Sequence, residues 1–477
     1  SEPANPTSFG TTETAGLGLL PLNDVFLVHS RNAGMQAQLV LEDPLFVLRK
    51  GSSYRAEWAI VVVDRGTLRG TWGENTDNVW SSTNEPYFWF VNAVRRLRGA
   101  NFTLDGPFAF LRADPRYTGR WSDEEIVNFA RWKSAKFLCS SIDYPRYKGR
   151  YPHGTAFQLV DHSYRKTHLR RLRRLLPDVQ HLVYFHCYID PRDDAPQLYR
   201  DSRLLMADGR QATYGRDYER LFVPYDGSSF QQAVERNIAI ILDEIGADGV
   251  YWDEIEYSRY RYHYGQPWDG VTGDIHAATH KLIRKKSSVT LLTQRWRVDL
   301  ARRILSRGPL VANGQPHTRT MAALKFPRFV ETGSISNCRR AHLFSPIALG
   351  DHLTERSEQD AYRVMLWALD FGCLYYWYND LLVRPTHPHL TAYMYPCTPV
   401  ELHEGVILGR ERIITNRTGI YTWDDGSEHE VHVFGRDARE VSVQARGRYA
   451  RTYKRDGVTY TELRLPDGFS AAIVRRR

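Results

Sequence analysis

Between about residue 100 and residue 380, short apolar runs alternate with segments of helical periodicity, and this rhythm limits the fold more than any other feature of the chain. FAFL (108–111) precedes the amphipathic DEEIVNFARWKS, and KFLCSS (136–141) precedes SYRKTHLRRLRRLL. HLVYFHCY (181–188) leads through a long loop to QQAVERNIAIILDEIG, and GVYWDE (249–254) through another to TQRWRVDLARRILSRG. PLVANG (309–314) and RFVETG (328–333) follow, with room for only a short helix between them. HLFSPIAL (342–349) precedes SEQDAYRVMLWALDFG, and CLYYWY (373–378) closes the series. Brief apolar runs separated by amphipathic helices read as strands of a parallel sheet covered on both faces. Eight such units over roughly 280 residues predict an α/β fold, a (β/α)8 TIM barrel. A doubly wound open sheet is the alternative, and it leads one to expect a Gly-rich nucleotide turn after an early strand. Neither G-x-G-x-x-G nor G-x-x-x-x-G-K-[ST] occurs.

The flanks have a different period. VFLVHS, MQAQLVLE and YRAEWAIVVV alternate with RNAG, EDP and RKGSS, which predicts an N-terminal antiparallel β unit, short for a complete sandwich. SEPANPTSFGTTETAG ahead of it reads as a disordered lead, and YFWFVNAVRRLRG after it as a linking helix. Beyond about 395, VELHEGVILG, ERIITN, GIYTW, HEVHVFG, REVSVQA, RYARTYK and AAIVRR predict a C-terminal antiparallel β-sandwich. The expected organisation is 1–100 for the β-rich segment with its linker helix, 101–390 for the barrel and 391–477 for the sandwich.

Composition narrows the class. A hydrophobic fraction of 42% and a charged fraction of 25% fit an ordinary soluble protein. Twelve Trp and 28 Tyr suit either a sugar-binding cleft or an aromatic core. The net charge of +9 is concentrated in HLRRLRRLL (168–176), HKLIRKK (280–286) and the terminal RRR. These runs read as solvated helix faces, and without a zinc finger, RNA-binding signature or heptad basic region no nucleic-acid partner is expected. An anionic glycan remains a candidate partner. The five cysteines are widely spaced and lack metal-ligand spacing, so neither a disulfide framework nor a metal or other cofactor is expected. No apolar run has the length of a membrane span. The lead segment favours a secreted or periplasmic location. Oligomeric state is not readable.

In a barrel the strand carboxyl ends form the active face. The predicted ends carry Asp143, then His186 and Asp190, then Asp253 and Glu254 with Glu256 and Tyr257 beyond, then Asn313, Gln315 and His317, then Glu331, and last Tyr376, Trp377, Tyr378 and Asp380. Strand alternation puts Tyr251 and Asp253 on the inward face, with Trp252 and Glu254 toward the helices. Polar and aromatic residues gathered at one end of apolar strands point to a carbohydrate cleft. Cleaving a glycosidic bond takes two carboxyl groups, one to attack or to activate water and one to protonate the leaving oxygen. Asp253 and Glu331 are the pair chosen as catalytic. Asp143, His186, Asp190, Tyr251, Glu256, Tyr257, Asn313, Gln315, His317, Tyr376 and Trp377 are expected to bind substrate.

GADGVYWDE, preceded by FQQAVERNIAIILDEI, resembles the fourth barrel strand of the retaining glycoside hydrolases of the α-galactosidase and α-glucosidase superfamily. The resemblance implies a nucleophile at Asp253 and an acid/base at the end of the sixth strand, where this chain has Glu331. The superfamily more commonly carries Asp there, while related barrels acting on O-glycans use Glu. Two rivals remain: a catalytically inactive carbohydrate-binding barrel, and a metal-dependent hydrolase using His186, Asp190, Asp253 and His317.

Overall fold

The structure is a computed structural model that describes residues 7–34, 38–64, 78–80, 85–112, 114–351, 355–377, 380 and 383–476. Eight strands form one parallel sheet: β1 (Phe108–Phe110), β2 (Phe137–Ser140), β3 (Gln180–Phe185), β4 (Gly249–Trp252), β5 (Leu310–Asn313), β6 (Arg328–Glu331), β7 (Ile347–Leu349) and β8 (Leu374–Tyr376). Their spatial order is their chain order. Between them run α1 (Asp123–Trp132), α2 (Ser163–Leu175), α3 (Ser229–Ala239), α4 (Val289–Leu305), the single turns α5 (Arg319–Ala322) and α6 (Cys338–Ala341), and α7 (Glu358–Asp370). This is the (β/α)8 barrel foreseen from the alternation of apolar runs and helices. At the seam between β8 and β1 side chains make the contact. The rings of Phe108 and Tyr376 lie 6.0 Å apart, and Asp380 accepts the backbone N–H of Arg112 at 2.7 Å and pairs with its guanidinium.

Local chemistry sets the helix starts. Ser122, Ser228, Ser288, Thr318 and Ser357 each accept a backbone N–H in the first turn of α1, α3, α4, α5 and α7, a cap worth about 1 kcal/mol. At α1, Glu125 returns the bond to the Ser122 N–H at 2.7 Å and completes a capping box.

The GADG stretch explains how β4 enters the sheet. α3 runs into a π-helical turn, Ile240–Ile245, that stops at Gly246 with φ 78°, a left-handed conformation that favours glycine. Asp248 accepts the N–H of His181 in β3 at 2.7 Å and pairs with Arg173 of α2 at 2.5 Å. A Cβ on Gly249 would come 2.1 Å from the Pro309 carbonyl, so only glycine allows β4 this close to β5. The resulting register sets Trp252 opposite Phe185 and Ala312, and Asp253 one residue beyond.

Aromatic rings fill the barrel. Phe108, Tyr251, Phe329 and Tyr376, from β1, β4, β6 and β8, pack with centroids 5.1 Å to 6.2 Å apart. Trp252 points outward to Trp296 of α4 at 5.8 Å. Full burial of each such ring stabilises the fold by about 1.5–3 kcal/mol.

The flanks depart from expectation in four places. The supposed disordered lead contains Ser8–Thr11 and the start of Ala15–Pro21, which pair with each other, the second strand pairing in turn with Trp58–Asp64 in an antiparallel sheet; residues 1–6 lie outside the described residues. VFLVHS forms a helix, Asp24–His29, whose last turn Ser30 closes by donating its N–H and its hydroxyl to the Phe26 carbonyl. REVSVQA contains a one-turn helix, Val443–Arg446, capped by Ser442. Val458–Leu463 is a strand that the list of runs omitted.

Among the described residues beyond 398 two antiparallel sheets form, a five-stranded one from Pro399–His403, Val406–Gly409, Arg412–Thr415, Ser470–Arg476 and Glu428–Phe434, and a four-stranded one. The four-stranded sheet holds Ala450–Arg455, Val458–Leu463 and Gly419–Tyr421, and its outer strand is Val79–Trp80 from far upstream. Both sheets contribute to one apolar layer that includes Val433, Ile473, Tyr421 and Leu463.

The charged runs are mostly paired. Arg171 and Arg174 of α2 meet Asp123, and Arg173 meets Asp248. HKLIRKK is no helix: Leu282–Lys285 is one arm of an exposed hairpin with Gly273–Ile275. All five cysteines are buried free thiols. No helix among the described residues is long and apolar enough to cross a membrane.

Candidate active site

Asp253 follows the last residue of β4 and accepts three side-chain hydrogen bonds. Tyr184 of β3 donates to Oδ2 at 2.7 Å, and Tyr251 of β4 and Asn313 of β5 donate to Oδ1 at 3.0 Å and 2.9 Å. Burial, then the adjacent charge of Asp253, pushes both tyrosines well above their ordinary range, so they keep their protons and remain donors.

The same Asn313 nitrogen donates to Glu331 Oε1 at 3.2 Å. Two bonds to one nitrogen keep the two acceptor oxygens within about 6 Å of each other. The ~5–5.5 Å carboxyl spacing of retaining glycosidases is compatible with that limit. Glu331 ends β6 and is exposed to the cleft. Burial first, then the charges of Asp253, Glu254 and Asp351, pushes its carboxyl up to about 8, against the single lowering bond from Asn313. One carboxylate is thus ringed by donors, and its neighbour retains a proton at neutral pH.

Glu254 does not turn toward the helices, because the strand has ended. Its φ of 48° is left-handed, a conformation that costs a non-glycine residue about 1–2 kcal/mol. Its carboxylate is held by His186 Nε2 at 3.0 Å, by the Ser258 hydroxyl and by Tyr214 at 3.4 Å. His186 Nδ1 accepts the backbone N–H groups of Tyr188 and Ile189, which places the ring proton on Nε2, facing Glu254.

Beside Glu331 lies a cavity of about 360 Å³, lined by Glu254, Tyr257, Arg259, Asn313, Gln315, His317 and Arg340 among others. Asp253 adjoins it through Asn313. Tyr257 packs 5.6 Å from His317, whose burial pushes it down to about 4 and leaves a neutral imidazole. Gln315 closes the floor by a two-way bond with the Ser345 backbone at 3.1 Å each way.

Several residues expected at the cleft have other work. Asp190 is buried and accepts Thr155 N–H, Thr155 O–H and Arg192 N–H, anchoring the turn Gly154–Leu159. Glu256 borders the cavity floor, but its carboxylate is buried between Arg297 and Arg328, 2.9 Å from each. Tyr376 belongs to the barrel core. Trp377 is buried with the Lys133 ammonium 4.6 Å from its ring, and Tyr378 lies outside the described residues. Asp143 is held by Arg112 at 2.9 Å near the seam. The four residues of the metal-hydrolase rival do not converge on one centre, since His186 and Asp190 spend their acceptors on backbone and Thr155.

The sequence reading passed over Tyr184, His153 and Tyr214. Tyr184 had a signal, since it shares a strand face with His186 two residues on. His153, with its ring 5.3 Å from His186, comes from a loop and offered none.

No family model matches the chain, and no curated protein matches it. Solved structures do. A variant of the GH36 α-galactosidase AgaA from Geobacillus stearothermophilus, in complex with stachyose, aligns at TM-score 0.50 and 10% identity over 99% of this chain and 68% of that one. The galactosidase domain of the α-galactosidase–sucrose kinase AgaSK aligns at 0.50 and 10% over 100% and 70%. The chain shares the fold of the GH36 α-galactosidases. An uncharacterised Listeria monocytogenes protein in complex with glucose aligns at 0.50 and 8% identity, covering 100% of this chain and 51% of that one.

Proposed function

We propose that the chain is a retaining glycoside hydrolase acting on the O-glycosidic bonds of an oligo- or polysaccharide. The observation that carries this reading is the bridge from Asn313 to both Asp253 and Glu331. Asp253 attacks the anomeric carbon while Glu331 protonates the departing oxygen, and a glycosyl ester forms on Asp253. Glu331, now ionised, takes a proton from water, which attacks the same carbon and releases the sugar with its original configuration. Tyr184, Tyr251 and Asn313 orient the nucleophile, and Glu254 and Asp351 help Glu331 to recover its proton.

The stachyose complex of the Geobacillus enzyme makes α-galactosides the first substrates to try. Arg259 and Arg340 on the cavity wall suit an anionic substituent, so uronate and sulfated glycosides come next. The mutants separate the two roles. Asp253→Ala should abolish turnover, and azide should restore it with inverted product. Glu331→Ala should slow substrates with poor leaving groups far more than activated aryl glycosides, because a good leaving group departs without a proton. Equal, near-normal rates on both substrate types would remove Glu331 from the acid role.

A further inference from the structure

The chain leaves the barrel through residues 383–390, where His387 and His389 flank Pro388. His389 is extended, at φ −112° and ψ 177°. In extended backbone, side chains two apart share a face, and the proline restricts the intervening φ. The two imidazoles accordingly stack, with centroids 4.3 Å apart and planes 24° from parallel. Both face Glu358, the first residue of α7.

We propose that Glu358, His387 and His389 form a metal site, occupied by one zinc ion or a similar first-row divalent ion, that fastens the barrel to the C-terminal sheets. Glu358 Oε1 lies 3.2 Å from His389 Nε2 and 3.5 Å from His387 Nδ1, and one ligand atom from each of the three falls within 4.8 Å of the others. A tetrahedral ion ~2.0–2.1 Å from its ligands sets those atoms about 3.3 Å apart. Two edges of that triangle already have this length.

The protons point the same way. His387 Nε2 lies 3.2 Å from the Ala438 carbonyl, which can only accept, so the ring proton sits there and the Nδ1 lone pair faces the carboxylate. The Thr386 hydroxyl lies 2.8 Å from Glu358 Oε2 and 3.0 Å from His387 Nδ1, and it has one proton for two acceptors. A cation resolves this meeting of lone pairs. The Ala438 carbonyl and the Thr386 N–H, 2.5 Å from Glu358 Oε1, are the outer partners that orient metal ligands. Two nitrogens and one carboxylate select zinc, cobalt or nickel over magnesium and calcium. Ala438 lies beyond the strand Glu428–Phe434, so an ion here would tie α7, the exit loop and the C-terminal sheets together.

The test is calorimetric titration of chelator-treated full-length chain with zinc chloride, repeated with cobalt(II) and read by visible absorption. The expected result is one equivalent bound, a higher unfolding midpoint with zinc, no competition from magnesium or calcium, and tetrahedral cobalt absorption. His387→Ala and Glu358→Gln should each weaken binding by about 100-fold or more, while the exposed His276→Ala leaves it unchanged. Because the wild-type titration stands alone, misfolding of a variant does not shelter the proposal. No one-equivalent binding, meaning that a proton fills the gap, or undiminished binding by folded His387→Ala, would overturn it.

Discussion

Asp253 and Glu331 are both carboxyl groups at strand ends, and their surroundings differ. Three donors converge on Asp253, and Tyr184→Phe removes one while leaving the ring in place. A hydrogen bond to a charged group contributes about 1.5–3 kcal/mol, so kcat/KM should fall by about 10- to 100-fold with little change in unfolding midpoint. Steady-state kinetics beside a thermal melt checks this. Glu331 binds its proton more tightly folded than unfolded, with its carboxyl raised from 4.5 to about 8. Such a group withdraws stability as pH climbs through that window and has no effect below it. Glu331→Gln cannot ionise, so its melting temperature should exceed the wild type's by a margin that widens from pH 4.5 to 8. A constant margin across melts at several pH values would contradict the assignment. In the wild type, activity should decline as pH rises through about 8, and Asp351→Asn, which removes a neighbouring negative charge, should move that decline to lower pH. Both carboxyl groups were legible in the sequence because each closes an apolar run. Their shared partner Asn313 was visible only as a strand-end polar residue, since the bridge depends on register. Glu254 was misread because strand alternation was carried two residues past the strand.

Barrel elements are tied together beneath the cleft by Arg297 of α4, Glu256 of the loop after β4 and Arg328 at the start of β6. Burial alone would raise Glu256, but the two guanidinium groups outweigh it and hold the carboxyl below its ordinary value. Removing the anion leaves two buried cations facing each other. Glu256→Ala should therefore cost about 3–5 kcal/mol, read by chemical denaturation, and any activity lost should follow the fraction unfolded. A stable but inactive Glu256→Ala would return this residue to the substrate-binding role that its sequence position suggested. The sequence showed Glu256 three residues past a catalytic candidate, but it could not show two arginines arriving from 41 and 72 positions away. The eight strands and the long helices were readable from periodicity. VFLVHS and REVSVQA were not, since runs of six or seven residues fit either period.

Across the whole molecule, Val79–Trp80 crosses from the N-terminal region to edge the four-stranded C-terminal sheet, and Asn78 exchanges bonds with the Thr422 backbone at 3.2 Å and 2.8 Å. No local pattern could announce this, because a two-residue strand has no period. Basic residues along α2 are neutralised by Asp123 and Asp248, so the net charge of +9 is not itself an argument for an anionic substrate; the arginines of the cavity wall are. The central claim is that Asp253 and Glu331 carry out a double displacement, and the most direct test is the configuration of the first-formed sugar. A panel of aryl α- and β-glycosides, neutral and anionic, should be incubated with the full-length chain, and the anomeric proton of the new product followed by NMR before mutarotation. The expected result is turnover of at least one glycoside with retained configuration, abolished in Asp253→Ala. Inverted product, or turnover that survives Asp253→Ala, would contradict the account.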